Sequence, residues 1–308
     1  MTSSRDPAMD RRSGIGFAIG AYGLWGVLPV YFLLLAPSGP VEIVALRVVL
    51  SLVFCAILLS VTRGWRAFAA IARNRRLLAA MAIAGLFIVI NWLVFVYAAL
   101  NGQILETSLG YFLNPVVTVL LGVLVLGERL RPLQWASVAL VVVAVLVIAI
   151  GYGEVPWIAL IIAASFALYG FVKKKVGSQV DAISGLTLET AWLTPAAIVT
   201  LIVMGSMGGL TLGTAGPGHA LLLLGAGVVT AVPLLLFAAA SRRLPLTWMG
   251  MTQYLAPVLQ FLFGAFILQE DMPLERWIGF GLVWVAIIVL SIDMFLSARP
   301  RRASVTPA

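Results

Sequence analysis

The sequence predicts an all-α polytopic membrane protein of ten transmembrane helices, arranged as two inverted five-helix repeats. Three observations lead there. The chain is far too apolar for a soluble protein, its basic residues fall on one side of the alternating spans, and one long stretch returns at a fixed offset.

Composition decides the class. Of 308 residues, 62% are hydrophobic and only 10% charged, whereas a soluble domain carries roughly 25% charged residues. Crossing the hydrocarbon core takes about 20 apolar residues. Such runs are expected at 15–35, 41–62, 77–100, 104–126, 133–151, 155–172, 184–204, 219–240, 246–269 and 274–297. They should be helices, because backbone polar groups in lipid must bond within their own segment. Only the joins 63–76 and 205–218 have room for much irregular chain. The first apolar run is too long for a signal-peptide core and is expected to remain as an uncleaved span.

Lys and Arg set the orientation. Arg5, Arg11 and Arg12 precede the first span, and Arg63, Arg66, Arg73, Arg75 and Arg76 follow the second. Arg129 and Arg131 follow the fourth, Lys173, Lys174 and Lys175 the sixth, Arg242 and Arg243 the eighth, and Arg299, Arg301 and Arg302 the tenth. If ten spans alternate, 18 of the 20 basic residues share one side, with Arg276 opposite and Arg47 inside a span. Both termini are therefore expected in the cytoplasm. The net charge of +8 is a topology signal and not a nucleic-acid patch.

The repeat starts from Leu105–Ile150. Its pattern returns without a gap 142 residues later, placing Pro115 on Pro257, Gly122 on Gly264, Glu128 on Glu270 and Trp135 on Trp277. Leu and Val matches between apolar runs carry little weight, but these four types at one offset are hard to obtain by accident. The division expected is a tail at 1–14, repeats at 15–151 and 155–297, and a tail at 298–308. Five crossings per copy turn the second copy upside down. Inverted halves of this kind recur in secondary transporters, with the substrate site near the midplane between them.

Several chemistries are set aside. Cys55 is the single cysteine and His219 the single histidine, so a disulfide, a thiolate or His-rich metal site and a Ser-His-Asp enzyme are not expected. No GxxxxGK[ST] loop occurs, which argues against ATP-driven transport by this chain. No metal, cofactor or catalytic residue is assigned; the expected partners are membrane lipid, a small-molecule substrate and protons.

Glu42, Arg47, Glu106, Glu189 and Asp293 lie in or at the edge of spans. A charge at the bilayer centre costs roughly 2.5–3.5 kcal/mol on insertion scales and usually faces the bundle interior with a partner. Arg47 and Glu189 occupy equivalent positions 142 apart, and inversion keeps them from meeting. Glu42 lies about 140° around the helix from Arg47, which leaves Glu106 as the candidate partner. Arg47 then reads as an outer gate or a substrate-carboxylate contact, or else as half of a structural ion pair. Glu189 reads as a proton-coupling carboxyl or as a carboxyl bonded to a neighbouring helix. Glu42 and Asp293 are expected near water.

Pro115 and Pro257 lie mid-span, where each frees the carbonyl four residues back, on Tyr111 and Gln253. Both read as kinks, beside a site or for packing alone. Gln253, Gln260 and Gly264 share one helix face, as do Tyr111, Thr118 and Gly122. A polar row ending in Gly suits a cavity wall, to which Asn91, Trp92, Tyr97 and Asn114 are expected to contribute. Gly16, Gly20 and Gly23, and Ala163, Ala167 and Gly170, read as small stripes for close helix approach. Trp65, Trp135, Trp157 and Trp277 read as interfacial anchors.

The strings EIVALRVVLS, NWLVFVYAALN, LETSLGYFLNPVVTVLLG, LQWASVAL, PWIALIIAASFALYG, GLTLET and TQYLAPVLQFL resemble the RarD branch of the EamA-type drug/metabolite transporter superfamily. The resemblance runs from about Gly14 to Asp293. It implies an inner-membrane carrier with a central cavity between inverted halves and with peripheral fifth and tenth helices. Arg47, Asn91, Trp92, Glu106, Tyr111, Asn114, Glu189, Gln253 and Tyr254 fall within its motifs, without catalytic roles. Residues 45–47 read Ala-Leu-Arg, where the family often has a His before the Arg, which weakens His-based proton coupling. The function expected is secondary transport of a small metabolite or drug-like molecule by alternating access, as export in exchange for protons through Glu189 or Glu106. The alternatives are uncoupled facilitated uptake and a non-transporting structural or regulatory membrane protein.

Overall fold

The computed structural model describes residues 7–298, apart from Glu128, Arg242 and Pro245. The tails beyond these limits and the corner Glu128 lie outside the described residues. Among the described residues, ten helical stretches are long and apolar enough to cross a membrane. They comprise α1 (Pro7–Leu33), α2 (Pro40–Val61), α4 (Arg75–Leu100), α5 (Ile104–Leu126), α6 (Pro132–Tyr152), α7 (Trp157–Val176), α8 (Ala182–Ser206), α9 with α10 (Pro217–Leu224, Ala226–Ser241), α11 with α12 (Leu246–Thr252, Leu255–Leu262) and α13 (Leu274–Ala298).

Two expectations change. Residues 7–14 are not a separate tail but the first turns of α1, with Pro7 at its start. The join 63–76 is not irregular: it holds α3 (Trp65–Arg73). Phe68 and Ile71, three apart on one face, pack with Leu77, Met81, Val176 and Val180, while Arg66 and Arg73 stay exposed. Asn74 then caps α4, its Oδ1 accepting from the backbone N–H of Arg76 at 3.0 Å and of Leu77 at 3.3 Å. Residues 207–216 are turns, as expected.

Helix neighbours obey the repeat. The fourth span packs on the sixth as the ninth packs on the first, and the third on the sixth as the eighth on the first. The second span packs on the eighth as the seventh packs on the third. Second with seventh, fourth with ninth, and fifth with tenth each map onto themselves. A two-fold relation between five-span units produces this pattern. It leaves the fifth and tenth spans beside one another, outside the group formed by the other eight.

Two glycines mark this relation at the repeat offset. A Cβ on Gly85 would lie 3.2 Å from the carbonyl oxygen of Glu189, and one on Gly227 would lie 2.5 Å from that of Leu50. Both positions need a missing side chain for two backbones to meet. The expected stripe in the first span behaves differently. Gly16 and Gly23 have nothing within 4 Å and share the surface with exposed Ile19 and Val27; the close approaches are at Gly14, against Arg243 and Leu244, and at Gly26, against Leu259. In the sixth span Ala163 and Ala167 are buried, but Gly170 also meets open space.

Candidate transport site

The two ends of the bundle carry different chemistry. One face, here the basic face, holds the joins 62–74 and 177–181 and the described residues of the joins 127–131 and 242–245. The other, the acidic face, holds 34–39, 101–103, 153–156, 207–216 and 268–273.

On the acidic face, carboxylates from one repeat bond to the other. Glu42 is not interfacial but wholly buried (0% exposed). It accepts from the N–H of Thr211 at 2.9 Å, that of Leu212 at 3.0 Å and the Thr211 hydroxyl at 2.9 Å. Its burial is tolerable because these donors replace water. Glu270 accepts from the N–H of Ile104 at 2.6 Å and of Leu105 at 2.9 Å. These are unpaired amides of the first turn of α5, where a negative charge is favoured. Glu106 accepts from Ala159 N–H in the first turns of α7 at 3.4 Å and lies 3.5 Å from Arg276. The expected Arg47–Glu106 pair is thus replaced by Arg276–Glu106, because Arg276 comes down from the opposing repeat onto the end of α5. Ser38 joins the seal through Thr211 and through His219 Nε2 at 3.1 Å. A cavity of about 530 Å³ lies at this face, lined among others by Gln103, Glu106, Glu154, Glu270, Asp271 and Arg276. Of the expected site residues it includes Glu106 alone.

The middle of the bundle assembles most of the expected polar set. Asn91 Nδ2 donates to the Ile162 carbonyl and to Ser165 Oγ, both at 3.2 Å, and its Oδ1 accepts from the Tyr111 hydroxyl at 3.0 Å. Third, fourth and sixth spans are thereby joined at one buried amide. Asn114 Nδ2 reaches the Ala163 carbonyl at 3.4 Å. Tyr111, Asn114 and Thr118 follow one face of α5, half-buried at first and exposed at Thr118. Rings continue from there: Phe95 to Tyr111 at 5.9 Å, Tyr111 to Phe166 at 5.5 Å, and Phe166 to Tyr169 at 6.0 Å between centroids.

Arg47 and Glu189 end this aromatic row on opposite sides. Arg47 is 5% exposed; its Nε donates to Thr230 Oγ1 at 2.7 Å, and its guanidinium lies 4.0 Å from the Trp92 ring centre. Glu189 is bonded to the neighbouring helix, accepting from Lys173 Nζ at 2.7 Å and Tyr169 O–H at 3.4 Å.

The ninth span differs from its counterpart. α5 runs unbroken through Pro115, whereas the chain breaks at Gln253 and Tyr254, four and three residues before Pro257. Gln260 is 1% exposed, donating to the Trp25 carbonyl at 3.3 Å and accepting from Thr107 at 3.2 Å. Ser108 donates to the Pro257 carbonyl at 2.8 Å, the carbonyl of the residue that cannot donate itself. Gln253 is half-buried at the break. Tyr254 packs with the cluster of the fourth, fifth and tenth spans.

Two placements are corrected. Tyr97 is 40% exposed and stacks on Trp157 at 5.8 Å; it shares the outward stripe of Ile83, Leu86 and Ile90 and does not join Asn91. Asp293 does not reach water freely but is buried against Arg131 at 2.6 Å, tying the fifth span to the tenth. The sequence reading also missed Thr107, Ser108, Tyr169, Lys173 and Thr230. The bonded hydroxyls carry no sequence signal, but Lys173 lies sixteen residues before Glu189, on a facing helix, and was available as its partner.

Two five-span units around a polar, aromatic middle define a multi-pass membrane protein of transporter type. The EamA-like transporter family matches the chain twice, over residues 12–150 and 155–292, so the chain belongs to that family. "Protein RarD" of Streptomyces exfoliatus is 46% identical over 97% of this chain and 94% of its own length. "Protein RarD" of Escherichia coli (strain K12) is 38% identical over 95% and 98%. An "Uncharacterized transporter" of Vibrio cholerae is 39% identical over 92% and 93%. A crystal structure sharing 19% identity superposes with a TM-score of 0.56 over 92% of this chain and 99% of that one, a likeness of fold.

Proposed function

We propose that the protein is a secondary carrier of a small organic metabolite or drug-like molecule, working by alternating access. The basic face lies in the cytoplasm of a bacterial inner membrane, and the two repeats, residues 15–151 and 155–297, rock against each other around the midplane. One observation supports this above the rest. Thr118 and Gln260 occupy the same position of the two repeats, yet Thr118 is exposed while Gln260 is buried and bonded to Trp25 and Thr107. Equivalent positions in different surroundings are what a carrier caught open to one side presents. Tyr111, Asn114, Thr118 and Gln253, with Asn91 and Trp92 behind them, would line the chamber.

Export in exchange for protons is the direction we favour. Glu106 and Glu189 are buried carboxylates, each bonded to a different helix, so protonation of either changes what holds two helices together. Metabolite profiling of cells lacking and overproducing the protein nominates substrates, and flux of those into proteoliposomes under an imposed pH gradient tests the mechanism. Wild-type flux should follow the gradient and Glu106→Gln with Glu189→Gln should abolish that dependence. Undiminished gradient-driven flux in the double variant removes the proton role.

A further inference from the structure

We infer that Arg47 is a binding point for the charged end of the transported molecule, and that the molecule is a compact organic monoanion, a carboxylate, attached to a flat or aromatic body. The inference rests on the carrier reading above and adds a substrate class to it. Arg47 lies well inside a span and is 5% exposed. Among the described residues it makes no ion pair with a carboxylate, and its one protein acceptor is Thr230 Oγ1, which takes Nε. Both terminal nitrogens, the fork that matches a carboxylate in parallel bonds, are left without a protein acceptor among those residues.

The contrast with Glu189 shows that the arrangement is not imposed by the repeat. Glu189 sits at the equivalent position, and its charge is neutralised by Lys173 within 2.7 Å. Of the other buried span charges, Glu106 and Asp293 have Arg276 and Arg131, and Glu42 has the N–H groups of Thr211 and Leu212 and the Thr211 hydroxyl. Arg47 alone of this group is held by a hydroxyl and ring faces, Trp92 at 4.0 Å and Phe32 at 5.6 Å from the guanidinium carbon. Ring faces offset part of the cost of a buried cation, but a cation deep in the membrane is normally kept where it has a use.

Charge balance selects the ligand. One monoanion makes the loaded centre neutral; a dianion leaves a buried negative charge, and a neutral amide or an amine leaves the cation unpaired or repelled. The neighbouring surface is aromatic, with Phe95 contacting both Phe32 and Tyr111. A flat body fits such a wall by stacking.

The test uses the purified full chain in detergent, with benzoate, benzamide, benzylamine and phenyl phosphate as probes and thermal stabilisation as the readout. Benzoate should raise the melting temperature with saturation, at least tenfold lower in half-maximal concentration than the other three. Arg47→Gln should lose this preference, and Arg47→Lys should keep it in weakened form. Thr230→Val leaves the guanidinium in place and should keep it too. Equal stabilisation by benzamide or phenyl phosphate, no stabilisation by benzoate, or an unchanged benzoate preference in Arg47→Gln overturns the inference. The wild-type comparison decides even if Arg47→Gln does not fold. Benzoate selectivity without flux of any carboxylate into proteoliposomes would count against the carrier reading while leaving the anion site standing.

Discussion

The acidic and basic faces of this bundle are built from the same repeat, yet among the described residues carboxylates bond the inner eight spans across the repeats only on the acidic one. On the acidic face the end of α5 is buried from Ile104 to Gly110 and held by Glu270 and Glu106, while Glu42 fixes the seventh–eighth join. The matching stretch of the ninth span, from Trp248 to Thr252, is largely half-buried, with Met251 exposed. Position by position, Glu106 answers to Trp248, Glu42 to Ser184 and Arg276 to Gln134. Inversion thus supplies the frame, and on it Glu42, Glu106 and Arg276 depart from the repeat, while Glu270 keeps the residue type of its equivalent, Glu128. The midplane contacts at Gly85 and Gly227 keep the symmetry that the ends have lost.

Removing the cap on α5 is expected to have the largest effect. Glu270→Ala deletes two charge-assisted bonds across the repeats, and a hydrogen bond to a charged group contributes about 1.5–3 kcal/mol. That corresponds to a shift of roughly tenfold to over a hundredfold in the sealed-to-open ratio. Single thiols report it in a Cys55→Ser background, Ser108→Cys for the acidic side and Thr118→Cys for the basic side. A water-soluble maleimide should react quickly with the second and slowly with the first. Glu270→Ala should raise the first rate and lower the second; if both rise together, the bundle has loosened and has not switched.

The same carboxylate predicts a smaller response to pH. Burial pushes Glu270 above its ordinary 4.5, against the pull of the Leu105 and Ile104 N–H groups and of Arg276, with Glu106 adding to the rise. A carboxyl raised in the sealed state takes up a proton as the seal forms, so acid favours the seal and alkali weakens it. The window runs from the raised value down to 4.5, below which both states are protonated. The ratio of labelling at Ser108→Cys to that at Thr118→Cys, which largely cancels thiol titration, should fall severalfold between about pH 8 and pH 5. A ratio that rises in acid would show that the bonds to Glu270 outweigh its burial.

How much of this was legible follows from what each signal depends on. The spans and the duplication come from apolar run length and from Pro, Gly, Glu and Trp at one offset, all local properties of the chain. Asn91, Tyr111 and Asn114 stand out in the sequence as polar residues on apolar helices, and all three are hydrogen-bonded inside the bundle. Partner choice did not come through. Depth in the membrane matches Arg47 to Glu106, but which helices face each other is a tertiary fact, and Arg276 arrives from 170 residues away. Depth also puts Glu42 and Asp293 near water, but burial at a span end depends on which groups fold over it. Tyr97 failed for a related reason: a polar tip suits a cavity and the lipid interface equally, and only packing against Trp157 separates them.

The smallest effect belongs to the basic face, and it sharpens the contrast. Asp181 caps α8 there, its Oδ1 accepting from the N–H of Ile183 at 3.1 Å and of Ser184 at 3.0 Å. Burial alone would raise its pKa, but the bonds from Ser184 and Ile183 outweigh it and hold the carboxyl below its ordinary 3.8. A lowered value means the cap is fully present above 3.8 and fails only as pH falls through the lowered value. It therefore contributes nothing to the pH response expected of Glu270. Asp181→Ala should cost about 1 kcal/mol, as loss of a helix cap does, seen as a small drop in melting temperature that is the same at about pH 5 and pH 8. The labelling ratio should stay put, because both bonds lie within one repeat, at the foot of a single helix. A shift like that of Glu270→Ala would mean that the basic face is latched as well, and that closure is shared between the faces.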